Sequence, residues 1–233
     1  MRPYNQTLLC DFYELTMGNG YLLSGKKDMQ ACFDLYFRKV PDNGGFAIAA
    51  GLSEMIEFLE QLHFGKEDIE YLRSKNQFSE EFLQYLADFK FECDVYAVPE
   101  GTPILPNEPL VTVKGPAIQA QLLEAMLLLT INHQSLIATK ANRIVRAAQG
   151  RPVFEFGSRR AQGSNAAILG ARAAFVGGCA GTACACCEQL YGIPAVGTMA
   201  HSWIQMYDSE LEAFEAYARY YPDNCILLVD TYN

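Results

Sequence analysis

Positive charge is scarce in this chain: 18 Lys and Arg stand against 27 Asp and Glu, for a formal net charge of -9. Proteins that bind nucleic acid gather cations to neutralise phosphates, so a nucleic-acid partner is disfavoured. Charge of either sign is low at 19%, beside a hydrophobic fraction of 50% over 233 residues, and that composition excludes intrinsic disorder. At roughly 150 residues per domain, the length fits one large domain or two small ones with a sizeable core. The low charge fraction also points to a further buried surface between subunits. No apolar run approaches the roughly 18 residues needed to span a bilayer. The longest, near Ala125 to Ile131, is broken by Thr130 and Asn132, so no membrane partner is expected.

Two nucleotide signatures are also missing. No GxGxxG follows a strand and no P-loop GxxxxGK[ST] occurs. Met1 to Gln6 carries no apolar leader, so the eight cysteines are expected as thiols of a cytoplasmic, reducing compartment. Cys10, Cys32, Cys93 and Cys225 sit singly among apolar neighbours, where free Cys acts as a small hydrophobe. Cys179, Cys184, Cys186 and Cys187 are denser, but C-x4-C-x-C-C is not the paired C-x2-C spacing of a zinc site. Their small-residue surroundings favour helix packing over metal.

The pattern changes near residue 150, giving expected domains 1–150 and 151–233. In the first, Ala31 to Arg38 alternates as a half-buried strand, with Cys32, Asp34, Tyr36 and Arg38 opposite Phe33, Leu35 and Phe37. Ser53 is a candidate N-cap for an amphipathic helix through Leu62, and helices follow over 66–74 and 79–88, the latter capped by Ser79. Short β runs at 95–98, 101–105 and 109–113 suit a small sheet of hairpins. Pro116 opens a buried helix lined by Leu122, Leu123, Met126, Leu127 and Leu129, and a second helix is expected over 134–148.

After Gly150 strands alternate with helices: strands at 152–156, 174–176, 193–197 and 225–229, with helices between them. That beat implies a parallel α/β sheet, whose ligands bind outside the carboxyl ends of the strands. The sequence stops at Asn233, directly after the fourth strand, and four strands cannot close a barrel of about eight. The chain is therefore expected to be a piece of a longer one.

Several strand ends carry residues suited to chemistry. Arg159 and Arg160 put two adjacent guanidinium groups at a ligand face, suited to an anion, unless they only pair with acids such as Glu155. His201, one of three His, follows the third strand in Gly197-Thr-Met-Ala-His-Ser. It could serve as a general base, a nucleophile or a phosphate relay, and the Thr198 and Ser202 hydroxyls beside it favour function over a structural role. His63 at a helix end and His133 in an inter-helix junction read as ordinary. Asp230 ends the fourth strand and suits ribose hydroxyls, a phosphate-bound metal or a helix cap. Tyr13 by itself reads as a core aromatic.

Taken in order, Leu8-Leu-Cys-Asp-Phe-Tyr-Glu-Leu-Thr-Met, Phe33-Asp-Leu-Tyr-Phe-Arg-Lys, Phe46-Ala-Ile-Ala-Ala-Gly-Leu, Pro106-Asn-Glu-Pro-Leu, Glu155-Phe-Gly-Ser-Arg-Arg-Ala, Gly197-Thr-Met-Ala-His-Ser and Leu228-Val-Asp-Thr-Tyr-Asn resemble nicotinate phosphoribosyltransferase over nearly the whole chain. The resemblance implies a type II phosphoribosyltransferase fold: an N-terminal α/β domain with a small β-rich part, then the first half of an irregular TIM-like α/β barrel. It implies nicotinate and phosphoribosyl pyrophosphate as substrates, ATP as co-substrate, Mg2+, and a homodimer with shared active sites. By the same resemblance His201 is the phosphorylated histidine. Phe156 and Tyr13 sandwich the pyridine ring, Tyr13 reaching in from the partner subunit, and Thr198 contacts nicotinate. Arg159, with Arg160 less directly, holds ribose or pyrophosphate, and Asp230 lies near the ribose or its metal.

The related nicotinamide enzyme places an acid after the second strand, where this chain has Gly177-Gly-Cys-Ala-Gly-Thr, and the absence suits a negatively charged ring substituent. The cysteine cluster is expected on a barrel helix away from the site. A nicotinamide or quinolinate phosphoribosyltransferase, and an inactive N-terminal fragment that only associates with a partner chain, are the alternatives.

Overall fold

The computed structural model describes Gln6 to Tyr232. Met1 to Asn5, most of the N-terminal segment read above, and Asn233, the last residue of the Leu228 motif, lie outside the described residues.

The first half is a mixed α/β assembly. α1 (Phe12–Leu23) precedes β1 (Gln30–Tyr36), which pairs with β5 (Pro109–Pro116). β5 also pairs with β3 (Asp94–Ala97), giving an antiparallel sheet of order β1-β5-β3. The alternation read for 31–38 is realised in its register. Leu35 lies opposite Val111 in one row, and Asp34 lies opposite Thr112 in the next, where the threonine hydroxyl donates to the carboxylate at 2.5 Å. Val111 and Val113 are buried on the inner side, while Tyr96 is exposed on the outer one. The hairpin reading needs one correction. β4 (Pro103–Ile104) pairs with β2 (Ala47–Ile48) and not with its sequence neighbours, because its buried Ile104 joins the apolar β2 segment.

Five further helices contribute side chains to the core that holds Val111 and Val113. α3 (Lys66–Ser74) and α4 (Glu80–Ala87) match their sequence spans, and the Ser79 hydroxyl accepts from Phe82 N at 3.1 Å as the expected N-cap. α2 (Leu52–Gln61) starts two residues earlier than expected. Gly51, at φ 104, occupies its cap position, and the Glu100 carboxylate accepts from Gly51 N and Leu52 N at 2.6 and 3.2 Å. A long-range carboxylate therefore does what Ser53 was expected to do. α5 (Ala117–Gln121) follows Pro116, but the chain does not divide near residue 134. α6 (Glu124–Ala147) is one 24-residue helix, and Leu128 and Leu129 on its outer face are about half exposed. Its inner face is polar where it meets β2: Ser135 Oγ and Thr139 Oγ1 accept from Ala50 N and Ile48 N at 3.0 and 2.8 Å. His133 accordingly sits inside a helix, not in a junction.

The second half has two true βαβ steps. β6 (Phe154–Glu155) leads through α7 (Ser164–Val176) to β7 (Gly181–Thr182), which runs parallel to it. α8 (Ala185–Tyr191) then leads to a third parallel segment, where Thr182 bridges Ala195. α9 (His201–Gln205) and α10 (Glu210–Tyr220) follow, the latter capped by Ser209 Oγ on Glu212 N.

Two expected strands are corrected. Residues 174–176 end α7, because Ala173 and Ala174 pack against Ala138 and Ala141 of α6, and the strand lies seven residues later. The contact is close: a Cβ on Gly177 would lie 2.4 Å from Ala138 O. Residues 225–229 form no ladder. A strand needs a neighbour whose backbone groups face its own, and here Ile226 O instead accepts from the Thr198 hydroxyl at 2.6 Å.

One buried polar network joins the halves. Arg172 on α7 donates to both Glu100 oxygens, Nη1 to Oε1 at 3.0 Å and Nη2 to Oε2 at 2.7 Å, and its Nε lies 3.1 Å from Glu54 on α2. Gln134 of α6 completes the set, donating to Glu54 Oε2 at 3.1 Å and accepting from Arg172 Nη1 at 3.4 Å. The three charged side chains are 13 to 20% exposed. Burial alone would raise the Glu100 carboxyl, but the Arg172 bond and the two backbone donors outweigh it and lower it. The guanidinium also lies over the Tyr191 ring at 5.6 Å.

A second buried carboxyl has no cation among the described residues. Glu14 is fully buried on α1, where Oε1 accepts from Asp11 N and from Ala125 N at the start of α6, both at 3.3 Å, and Oε2 has no partner. Burial pushes it up to about 7, with Glu124 and Asp11 adding to the backbone-opposed rise.

Two predictions follow from these networks. Arg172→Met leaves two carboxylates uncompensated and is expected to cost roughly 3 kcal/mol in urea unfolding, with Arg172→Lys intermediate because it keeps the charge but not the fork. A wild-type midpoint for Arg172→Met would contradict the network's role. Glu14 has a folded pKa above its unfolded one, so the native state holds the extra proton and stability falls as pH rises between about 4.5 and 7. Glu14→Gln should remove that fall, gaining up to about 3 kcal/mol on wild type by pH 8 relative to pH 4. A difference between the two proteins that is flat with pH would show the carboxyl to be solvated.

Candidate active site

The carboxyl ends of β6, β7 and the third parallel segment lie side by side, and a chain of hydrogen bonds fixes them. Thr182, fully buried at the end of β7, donates its hydroxyl to Glu155 Oε2 at 2.7 Å and accepts from Cys184 N at 3.0 Å. Glu155 Oε1 accepts from Gly157 N, which folds the Phe156-Gly157-Ser158 turn back over the strand end. Backbone bonds continue the register: Ala183 N donates to Glu155 O at 2.9 Å, Thr182 N to Pro194 O at 3.0 Å, and Val196 N to Thr182 O at 2.8 Å. Gly181 lets the last two segments close, since a Cβ there would lie 2.5 Å from Pro194 O.

On this base the loops display most of the residues singled out in the sequence. Phe156 is 49% exposed directly after β6. Arg159 and Arg160 lie in the short 3-10 turn Ser158–Arg160, both exposed. Among the described residues neither forms an ion pair. The bland reading, that they neutralise Glu155, is thereby set aside, because that carboxylate is held by Thr182 and Gly157 N. Thr198 and His201 follow the third segment. His201 opens α9, exposed, with Nδ1 3.3 Å from Thr231 Oγ1. Together with the Thr198 hydroxyl on Ile226 O, this brings the Gly197 motif beside the 225–231 segment and Asp230, which is exposed.

Tyr13 is not among the groups gathered at the strand ends. α1 packs against α4 and α5, and Glu124 at the start of α6, beside the Tyr13 hydroxyl, pushes its pKa up to about 12. Of the other residues, only Arg160 also borders a groove of about 1200 Å3 between α2, α6, α7 and the 157–162 loop, which Glu155, Ser158 and Tyr191 line as well.

Two sequence readings change here. The Gly177-Gly-Cys-Ala-Gly-Thr segment precedes and forms β7, so it is not the strand's carboxyl end. The residues at that end, Ala183 to Cys187, also lack an acid, and Glu188 on α8 is the first. The cysteine cluster starts at the carboxyl end of β7, with Cys184 at the N-cap of α8 and Cys186 and Cys187 within that helix. Glu155 and Thr182 were missed as organisers. A Glu two residues before Gly157 carries no local signature, and its partner stands 27 positions away.

No group of three or more His, Cys, Asp or Glu suited to holding a metal occurs among the described residues. Asp230, an exposed carboxylate beside the two hydroxyl-bearing motifs, fits a metal carried mainly by phosphate oxygens, since Mg2+ keeps one or two protein carboxylates in such sites.

Residues 8–132 match the model of the nicotinate phosphoribosyltransferase N-terminal domain. The chain is 48% identical to a nicotinate phosphoribosyltransferase of Mycobacterium tuberculosis over 233 residues, which is all of this chain and 50% of that one. It is 40% identical to the Bacillus subtilis nicotinate phosphoribosyltransferase, over 97% of this chain and 46% of the relative. Among solved structures, human nicotinic acid phosphoribosyltransferase superposes with a TM-score of 0.79 at 35% identity, covering 86% of this chain and 41% of the human one. The chain spans about half the length of the curated relatives it matches. With its matched segment running from Leu8 to Asn132, the chain belongs to the nicotinate phosphoribosyltransferase N-terminal domain family.

Proposed function

We propose that this chain carries the nicotinate-binding and phosphohistidine part of a nicotinate phosphoribosyltransferase of NAD salvage. The reaction joins nicotinate to phosphoribosyl pyrophosphate, giving nicotinate mononucleotide and pyrophosphate with ATP hydrolysis. The observation that carries the proposal is a pair of adjacent exposed guanidinium groups, Arg159 and Arg160, without an ion pair among the described residues and on the same strand-end face as His201. Two such forks side by side suit an anion.

In this reading residues 151–233 begin a TIM-like barrel after an N-terminal domain of residues 1–150, and each group has a task. As the pyridine nitrogen attacks the anomeric carbon, positive charge builds on the ribose and pyrophosphate leaves as an anion. Arg159, assisted by Arg160, neutralises that leaving group. Mg2+ bound to the phosphates would add charge neutralisation, with Asp230 as the protein carboxylate beside it. Phe156 offers a half-exposed face to the pyridine ring, and the Thr198 hydroxyl turns from Ile226 O to donate to the ring's carboxylate. Tyr13, placed on α1 and not at the strand ends, serves a partner subunit's ring in a homodimer with shared sites. His201, exposed and held from one side by Thr231, takes the phosphoryl group from ATP on its free nitrogen, which places negative charge beside the pyrophosphate site.

The missing acid at Ala183 to Cys187 supports nicotinate over nicotinamide, since no carboxylate there would repel the ring's own charge. A second reading, a non-catalytic portion that associates with a partner chain, is favoured by the bare flank at Ile226 and Val229, which are 55% and 70% exposed.

Pyrophosphate release from phosphoribosyl pyrophosphate with Mg2+ and ATP tests the proposal. Turnover is expected with nicotinate and not with nicotinamide or quinolinate. Preference for either of the latter would assign the chain to the alternative enzymes, and a folded but silent chain would favour the association reading. His201→Ala is expected to lose the acceleration by ATP while keeping basal transfer. Undiminished ATP stimulation in that variant would remove His201 from the phosphoryl step. Arg160→Ala is expected to raise KM for phosphoribosyl pyrophosphate about tenfold, in the range of one lost charge-assisted bond, with KM for nicotinate unchanged. A rise confined to nicotinate would place Arg160 at the ring instead.

A further inference from the structure

The position of β7 puts a pair of thiols at the start of α8, the packed helix expected for this small-residue run. Cys184 is the N-cap of α8, in an extended conformation at φ -87 and ψ 95, and Cys187 is the third residue of the first turn. Cys187 N donates to Cys184 O at 2.9 Å, closing a four-residue turn. A closed turn of this kind keeps its end Cα atoms within about 7 Å, the range a disulfide spans.

The two thiols differ in access. Cys184 is partly exposed at the carboxyl end of β7, whereas Cys187 is fully buried and its Sγ also lies 3.4 Å from Ile168 O. Burial, with the neighbouring Cys184 adding to it, pushes the Cys187 thiol up to about 12. An accessible first thiol with a shielded second one, spaced C-x-x-C across a helix start, is the arrangement of dithiol exchange centres. Cys186 lies between them but points outward, exposed to solvent.

We infer that Cys184 and Cys187 form a reversible dithiol–disulfide modification site that takes low-molecular-weight disulfides such as oxidised glutathione. In the first step the Cys184 thiolate attacks one sulfur of the small disulfide. That S–S bond breaks, a mixed disulfide forms on Cys184, and one small thiolate leaves and takes a proton. Cys187 then gives up its proton and attacks the Cys184 sulfur, releasing the second small thiol. The protein dithiol is oxidised by two electrons and the small disulfide is reduced to two thiols. The buried Cys187 makes the second step the slower one, since its thiolate is scarce near neutral pH. Neither thiol takes part in the phosphoryl or glycosyl chemistry proposed above, so the modification stands or falls independently of that reaction.

The test is exposure of the native, reduced chain to a glutathione redox buffer, an acid quench, alkylation in denaturant and fragment mapping by mass spectrometry. The expected product has lost two hydrogens, carries two fewer alkyl groups than the reduced chain and maps its bridge to Cys184–Cys187. Cys186→Ser should retain the bridge. Cys184→Ser, a change at a partly exposed position, should abolish it, and Cys187→Ser should stop at a glutathione adduct on Cys184. A bridge that survives Cys184→Ser, a bridge lost in a folded Cys186→Ser, or full alkylation of the wild-type chain after the most oxidising buffer would each overturn the assignment.

Discussion

The structure turns on one guanidinium. Arg172 faces Glu54, Glu100 and Gln134 from three different elements, and nothing else in the described residues joins α2, the β3–β4 connection, α6 and α7 at once. Charges this far removed from water are stable only with their hydrogen-bonding capacity filled. Glu100 meets that demand by taking the fork of Arg172 and two backbone N–H groups of the α2 start. The same carboxylate thus caps one helix and docks another. Beneath it the α6–α7 contact centres on Ala138, Ala141, Ala173, Ala174 and Gly177, flanked by Ile137, Val145 and Val176 and by the Asn142 amide on Gly177 O. The polar network adds the ties from α7 to α2 and to the β3–β4 connection.

With α7 fixed, β6 and β7 on either side of it in sequence are fixed too, and the loops beyond them inherit their positions. Glu155 and Thr182 pass the constraint outward to Gly157 N and Cys184 N, so Phe156, the arginine turn and the thiol pair all hang from one buried hydroxyl–carboxylate bond. This separates support from display. Thr182 and Arg172 are hidden and held by other side chains, while Arg159, Arg160, His201 and Asp230 are exposed.

What could be read from the sequence was what is encoded locally. Ser79 with Glu80 and Glu81 marks a helix start by itself, and the alternation of β1 carries its face assignment whatever strand it meets. The strand-end motifs were legible as chemistry because paired Arg and a rare His are conspicuous in an acidic chain. The failures share a different cause. Residues 174–176 look extended but are held helical by alanines of α6 more than thirty positions earlier, and β7 is two residues that only their parallel neighbours define. Ser53 lost its cap to a carboxylate 47 positions downstream. Arg172 itself drew no notice, since an arginine in an alanine-rich helix reads as a solvated side chain until its acidic partners arrive from elsewhere.

If docking by Arg172 holds the strand ends in place, amide hydrogen exchange should reveal it residue by residue. In an Arg172→Met chain under native conditions, exchange is expected to accelerate in α7 and at Gly157, Thr182 and Cys184, while the amides of the β1-β5-β3 sheet keep their wild-type protection. Uniform acceleration across both regions, or none at the strand ends, would contradict the account.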